Sequence, residues 1–212
     1  MTDVLIITYL LLFSGAAFVI RKNTGYMSNL LQIQFSYIIA NQMFRENQPD
    51  VISRRLLESF FFIGTAVFVW QTVNHFSPQA IGLPSLQLLM IAIVSIAGYT
   101  ILRKALAFLI AKIFSLEILS KEYCRNIDFH NHLLGLFLLF TSPLIQFTKA
   151  SEIFIYLSVF MIVANFVSQL IRFVKINILA GVTRFHIFLY LCALEIIPLI
   201  YVYKWLVSFA NH

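Results

Sequence analysis

Basic residues alternate with apolar stretches along this chain, and this alternation constrains the fold more than any other feature. Thirteen of the 15 Lys and Arg residues lie in three segments, 21–55, 103–125 and 172–184. The segments between them are strongly apolar. Basic residues beside transmembrane helices stay on the cytoplasmic side of a membrane. The pattern therefore predicts a membrane protein and also which of its loops face the cytoplasm.

The composition supports a membrane environment. Apolar residues make up 60% of the chain and charged residues only 11%, whereas a soluble domain has about 25% charged residues. The net charge of +6 does not indicate nucleic-acid binding, because the basic residues border apolar segments and form no stripe with interleaved aromatic side chains. We interpret them as a topology signal that also attracts anionic lipid head groups.

Six apolar segments are candidates to cross a bilayer as helices, for which about 20 residues are needed. They are 4–20, 56–76, 86–102, 132–147, 153–171 and 185–209. We therefore predict an all-α polytopic bundle of six transmembrane helices, forming a single domain over residues 1–212.

The distribution of charge predicts the orientation of these spans. The loops after the first, third and fifth spans hold five, five and three basic residues, while the other loops and both tails hold only Lys149 and Lys204. The basic loops are predicted to be cytoplasmic, with both chain ends outside. Because Thr2 and Asp3 precede the first apolar core and Arg21-Lys22 follows it, we predict an uncleaved anchor.

Two cytoplasmic segments are predicted to be amphipathic. Segment 103–120 has an apolar helical face and fits a surface helix or an extension of the third span. Segment 28–44 fits helical and strand periodicity equally well, and a helix is favoured because lipid does not tolerate an unpaired strand edge. An interfacial and a re-entrant placement of 28–44 both remain open. The outer connection 148–151 predicts a tight hairpin.

Glu195 is the leading candidate for a functional residue. It lies near the middle of the sixth span, where an acid costs about 2.5–3.5 kcal/mol on insertion scales. Pro198 cannot donate to the carbonyl of Leu194, which leaves a free acceptor near the carboxyl group. The arrangement fits a neutral Glu bonded to a neighbouring helix, a proton or cation site, or a contact with a partner protein.

Other polar residues of the spans are predicted to join helices. The fifth span has a polar stripe at helical spacing: Ser158, Asn165, Ser168, Gln169 and Arg172. We interpret it as interhelical packing, at about 0.6–2 kcal/mol per side chain, and a polar pathway shared with Glu195 is the alternative. Arg103 is predicted to extend to the cytoplasmic face, and Arg54, Arg55 and Glu58 to form a surface ion pair.

Asp128, His130 and His132 stand just before the fourth span and form a weak candidate metal site. On a helix only Asp128 and His132 share a face, and zinc needs three or four converging ligands. We interpret the segment as a helix start with Asp128 near the N-cap, and predict no metal and no other cofactor. Cys124 and Cys192 are placed in a loop and a helix, so no disulfide is predicted.

The last span and its approach carry a specific resemblance. The run YLCALEIIPL at 190–199, after an apolar multi-span body, resembles a bacterial inner-membrane family, domain of unknown function 4271, over residues 185–204. The resemblance implies a protein of the bacterial cytoplasmic membrane, with Tyr190, Glu195 and Pro198 in the family signature. It implies no activity, substrate or cofactor.

The sequence contains no nucleophile motif, metalloprotease motif or glycine-rich phosphate loop. We therefore expect a non-enzymatic subunit or scaffold of a larger envelope complex, in contact with lipid and with membrane-protein partners or further copies of itself. The aromatic content of 16% suits such helix packing. The alternative is a small proton- or cation-coupled transporter or channel subunit that uses Glu195, and an intramembrane enzyme is a third class.

Overall fold

The chain folds into a bundle of α-helices. A computed structural model describes residues 2–35, 49–76, 85–113, 117–179, 200 and 204. Within these residues the regular structure is entirely helical, as predicted. Its helices are α1 (Thr2–Lys22), α2 (Thr24–Phe35), α3 (Val51–Phe76), α4 (Ser85–Ile113), α5 (Glu117–Phe147) and α6 (Ser151–Leu179).

Local chemistry accounts for where several helices end. The basic residues Arg21 and Lys22 occupy the last turn of α1, where positive charge suits the helix dipole. Asn23 then donates its side-chain amide to the carbonyl of Val19 at 3.3 Å and separates α1 from α2. Only residues 148–150 lie between α5 and α6, which confirms the hairpin predicted at 148–151.

Helix α5 lies at the centre of the bundle. It packs most extensively on α3 and α6, and it also contacts α1, α2 and α4. Its Leu138 and Leu139 are fully buried. A Cβ atom on Gly135 would lie 2.6 Å from the Cα of Phe61, so only glycine allows α3 to approach this closely. Small residues at helix contacts are typical of membrane bundles, where close van der Waals packing replaces the hydrophobic effect.

Three described helices are long and apolar enough to cross a membrane: Val51–Phe76, Gln87–Leu109 and Ser151–Ile176. They contain most or all of the predicted spans 56–76, 86–102 and 153–171. The predicted spans 4–20 and 132–147 are helical, within α1 and the second half of α5, but they are not among these three. The sixth predicted span, 185–209, lies outside the described residues apart from Ile200 and Lys204.

The start of α5 contradicts two predictions, and the end of α4 decides between two alternatives. Helix α5 begins at Glu117, so the predicted loop containing Cys124 and the N-cap position of Asp128 are both wrong. The polar residues that suggested a loop form hydrogen bonds with other helices instead. Helix α4 continues to Ile113, which makes the first part of segment 103–120 an extension of the third span. Within segment 28–44, the described residues 28–35 belong to α2.

Candidate functional site

Asp128 joins three helices near the first half of α5. Its carboxylate accepts hydrogen bonds from Arg54 Nη2 of α3 at 2.8 Å and from Lys104 Nζ of α4 at 2.5 Å. Only 11% of the Asp128 side chain is exposed, against 50% of Arg54. Arg54 also binds Glu58 at 3.3 Å, which confirms the predicted ion pair at the start of the second span. The Asp128 carboxylate is thus paired with two cations, and both cations remain partly exposed to solvent.

His132 and Tyr26 form a second link beside Asp128. Both side chains are buried, and the Tyr26 hydroxyl lies 2.8 Å from Nδ1 of His132. Burial raises the pKa of Tyr26 above its ordinary value, and the negative charge of Asp128 raises it further. The phenol therefore stays protonated and can donate to Nδ1. A neutral imidazole that accepts at Nδ1 has its proton on Nε2, and His132 Nε2 is buried without a hydrogen-bond partner among the described residues.

A cavity of about 390 Å³ opens between α2, α3 and α5, beside these two links. We call it the Arg55 cavity. Its ionisable lining consists of Tyr26, Arg54, Arg55, Glu58, Arg125, Asp128 and His132. Pro49 and Val51 also line it, so the N-terminal end of α3, where the helix dipole is positive, lies at its wall. The cavity combines several cationic donors with one buried imidazole.

His130 faces away from His132, as the helical spacing predicts. Its Nδ1 lies 2.8 Å from the carbonyl oxygen of Asn126, and its Nε2 lies 3.4 Å from the Ser168 hydroxyl of α6. Asp128 and His132 therefore share a face without His130. In the ranges that the structure covers, no group of three His, Cys, Asp or Glu side chains is arranged to hold a metal ion.

The polar stripe of α6 faces the interior of the bundle. Ser158, Asn165, Gln169 and Arg172 are all buried. Ser158 donates to the Thr141 hydroxyl of α5 at 3.1 Å, and the carbonyl oxygen of Gln169 accepts from Asn126 at 3.4 Å. These contacts favour the interpretation of the stripe as interhelical packing.

Arg103 is buried, which contradicts the prediction that its side chain extends to the cytoplasmic surface. Only 3% of it is exposed, and its guanidinium donates to the Tyr123 hydroxyl at 2.9 Å and to Gln169 Oε1 at 3.1 Å. The guanidinium also lies 5.6 Å from the centre of the Tyr123 ring, within range of a cation–π interaction. Because two neighbouring helices supply these partners, the side chain does not need to extend to water.

A neutral polar cluster lies near the other end of α5. The Tyr9 hydroxyl of α1 is 2.9 Å from the Ser142 hydroxyl of α5. Gln71 of α3 donates to Tyr9 at 3.2 Å and to the Ser142 carbonyl at 2.9 Å, and its Oε1 accepts from the Ser142 hydroxyl at 3.1 Å. We call Tyr9, Gln71 and Ser142 the neutral cluster. The isolated Gln71 in an apolar helix was a signal for it that sequence reasoning missed.

Sequence reasoning also missed the roles of Tyr26 and Lys104. The intramembrane candidates Glu195, Pro198 and Tyr190, together with Cys192, lie outside the described residues. Cys124 is a free, half-buried thiol, and burial raises its pKa, which disfavours the reactive thiolate.

A second cavity of about 330 Å³ is largely apolar and lies between α3, α4, α5 and α6. Phe61, Ile91 and Ile162 contribute to its apolar wall, while Arg103 and Gln169 contribute polar groups. We call it the α4–α6 cleft.

Comparison with known proteins identifies a family but no activity. No curated protein and no solved structure gives a significant match to this chain. A family model described as Domain of unknown function (DUF4271) matches residues 4–206. Since this match extends well beyond the run at 190–199 and covers nearly the whole chain, the protein belongs to the DUF4271 family.

Proposed function

We propose that the protein is a multi-pass membrane protein whose six helical segments cross the cytoplasmic membrane of a bacterium, with both chain ends outside. Support comes from the three long apolar helices and from the clustering of basic residues in alternate loops. Reporter tags fused separately to the two ends would test this topology. Ends on opposite faces of the membrane would contradict it.

Within that membrane, the proposed function is that of a non-enzymatic subunit or scaffold of a larger assembly. The observation that supports it most is the difference between inner and outer surfaces. In the apolar 18-residue stretch of each long helix, 17% is buried in α4 and 22% in α6, against 39% in α3. The polar stripe of α6 points inwards, whereas Ile153, Tyr156 and Phe160 of the same helix are each more than 60% exposed. Such surfaces suit lipid and partner helices.

Purification in a mild detergent tests this proposal. We expect stoichiometric membrane proteins, or further copies of this chain, to purify with it. Tyr156 and Phe160 are one helical turn apart on α6, and replacing both with Ala should release the partner without unfolding the protein. A matched double replacement of Ile7 and Leu11 on α1, which are similarly exposed, controls for a general loss of apolar surface.

A protein that purifies alone and monodisperse, and that binds a solute with pH-dependent affinity, would contradict the scaffold proposal. That result would favour the second candidate function, a proton- or cation-coupled transporter or channel subunit using Glu195. The α4–α6 cleft supports this second candidate, because it combines apolar walls with polar groups from Arg103, Asn165 and Gln169.

The two functions predict different effects of neutralising Glu195. For a transporter, Glu195→Gln should abolish solute uptake while folding and complex formation persist. Glu152→Gln is a suitable control, since the Glu152 side chain is 68% exposed at the start of α6. For a scaffold, neither variant should alter uptake of any solute.

A further inference from the structure

The Arg55 cavity has more positive than negative charge. Arg54, Arg55 and Arg125 line it together with the two acids Glu58 and Asp128. Asp128 already binds Lys104 as well as Arg54, and Glu58 binds Arg54. Both acids are therefore neutralised by cations within the protein. Arg55, by contrast, has no ion-pair partner in the part of the chain that the structure describes.

His132 provides an independent indication of a ligand. It is 2% exposed and lines the cavity, and Tyr26 occupies its Nδ1. Its Nε2, which carries the proton when Tyr26 donates to Nδ1, has no partner within the described ranges. Buried donors are nearly always satisfied in folded proteins. Because His132 lines the cavity, an acceptor that reaches Nε2 from there would satisfy this donor.

These donors select the chemistry of the ligand. Guanidinium groups match the oxygens of phosphate in a two-pronged geometry, and a neutral imidazole adds one directional N–H donor. The N-terminal end of α3 adds a positive potential, since Pro49 and Val51 line the same cavity. We propose that the Arg55 cavity binds a phosphate group, as inorganic phosphate or as a phosphate ester, through Arg55, Arg54 and His132.

Two sources can supply this group. The cavity adjoins α2 and the start of α3, segments that the charge pattern places on the cytoplasmic side, where both anionic lipid head groups and soluble phosphates are found. The volume of about 390 Å³ leaves room for an ester substituent. The proposal does not rest on the scaffold function, because a phosphate site is compatible with either function described above.

The test uses the full chain in nanodiscs of phosphatidylcholine. In one arm inorganic phosphate is titrated and the thermal midpoint is followed. In the other, phosphatidylglycerol is added to the discs and its retention is measured by native mass spectrometry after release into detergent. Saturable stabilisation in the first arm supports a soluble phosphate source, and selective retention in the second arm supports a lipid head group.

Matched variants connect the binding to the cavity. Arg55→Gln should weaken binding about tenfold, the loss expected for one charge-assisted hydrogen bond. Arg21→Gln is the control: Arg21 lies on α1 and is exposed, as Arg55 is, so its replacement should leave binding unchanged. His132→Asn retains an acceptor for Tyr26 but has no atom at the position of Nε2, so it should weaken binding, whereas His132→Gln, which can place an amide there, should partly restore it.

The proposal is overturned if neither ligand binds above the phosphatidylcholine background. It is also overturned if Arg55→Gln and Arg21→Gln bind equally well. Since Arg55 is exposed and forms no described ion pair, Arg55→Gln should fold normally, and circular dichroism checks this directly. Loss of partner proteins in a pull-down, by contrast, would bear only on the scaffold proposal.

Discussion

Two polar links of α5, one in each half of the helix, use different chemistry. In the first half, Asp128 binds the cations Arg54 and Lys104, and half of the Arg54 side chain is exposed. In the second half, Ser142 belongs to the neutral cluster, where Gln71 is only 4% exposed. Taking ions fully out of water costs more than their attraction usually returns, whereas neutral amides and hydroxyls can satisfy one another. At these two positions, ion pairs join the helices where the cations reach water, and neutral groups join them where the side chains are buried.

The largest effect is expected for Asp128→Asn. This change leaves Arg54 and Lys104 without their shared counter-charge, and we expect a loss of about 2–3 kcal/mol in the free energy of unfolding, below the range for fully buried pairs because both cations are partly exposed. Unfolding in mixed micelles, followed by circular dichroism, measures it. Glu152→Gln, which removes an exposed acid, should cost almost nothing. Equal losses in the two variants would show that the Asp128 contacts do not stabilise the bundle.

An intermediate effect is expected for Gln71→Leu in the neutral cluster. The Ser142 carbonyl loses its Gln71 donor and the Ser142 hydroxyl loses its Gln71 acceptor, while the contact between the Tyr9 and Ser142 hydroxyls remains. The loss should therefore be about 1 kcal/mol. Added salt should not change this loss, whereas it should reduce the loss for Asp128→Asn, since salt screens partly exposed ions.

Thr72→Val is the matched control for Gln71→Leu. Among the described residues, the Thr72 hydroxyl bonds only the carbonyl of Phe68 within its own helix, at 2.8 Å, so its removal should have little effect. A Gln71→Leu loss greater than that of Asp128→Asn would reverse the comparison between the two halves of α5.

The smallest effect is expected at Asp50, whose side chain is partly exposed, at 35%, like that of its partner Lys22, at 45%. Its hydrogen bond from Lys22 at 2.8 Å, and a further one from Ser53, lower its pKa to about 2. Because the folded-state pKa lies below the ordinary value of 3.8, this link stabilises the protein above about pH 4 and is lost as the pH falls towards 2. Carbon-13 NMR titration of labelled Asp side chains measures this pKa.

In that titration Lys22→Gln should return the Asp50 pKa towards its ordinary value, and Lys112→Gln should not change it. Neither variant should alter stability measurably at neutral pH, because exposed ion pairs contribute little. An Asp50 pKa that does not respond to Lys22→Gln would show that the lysine contact does not persist in solution.

Periodicity predicted which face of a helix is polar, but not what that face contacts. The stripe at Asn165 and Gln169 was predicted to join helices, and it faces inwards. Its partners on α4 and α5 were not predictable, because a period of 3.6 residues defines a direction around one helix and says nothing about its neighbours. For the same reason, the link between Tyr26 and His132, which are 106 residues apart, was missed.

Two predictions were wrong because composition was interpreted locally. Arg103 was assigned to the cytoplasmic surface on the assumption that water is the nearest partner of a guanidinium near a helix end. Tyr123 and Gln169 are nearer. Likewise, the polar segment around Asp128 was interpreted as a loop and helix start, although α5 runs through it. In this segment the neighbouring helices satisfy the polar residues, so the helix continues.

The sequence alone determined the helical class, the hairpin between α5 and α6 and the family, because apolar length, local turn chemistry and a distinctive run of residues are properties of neighbouring positions. Only the tertiary structure decided that Asp128 binds Arg54 and Lys104, that Arg103 is internal and that a cationic cavity forms beside His132. These features depend on residues far apart in the chain, whose meeting is decided by how closely whole helices pack, and the contact of Gly135 with Phe61 is one such determinant.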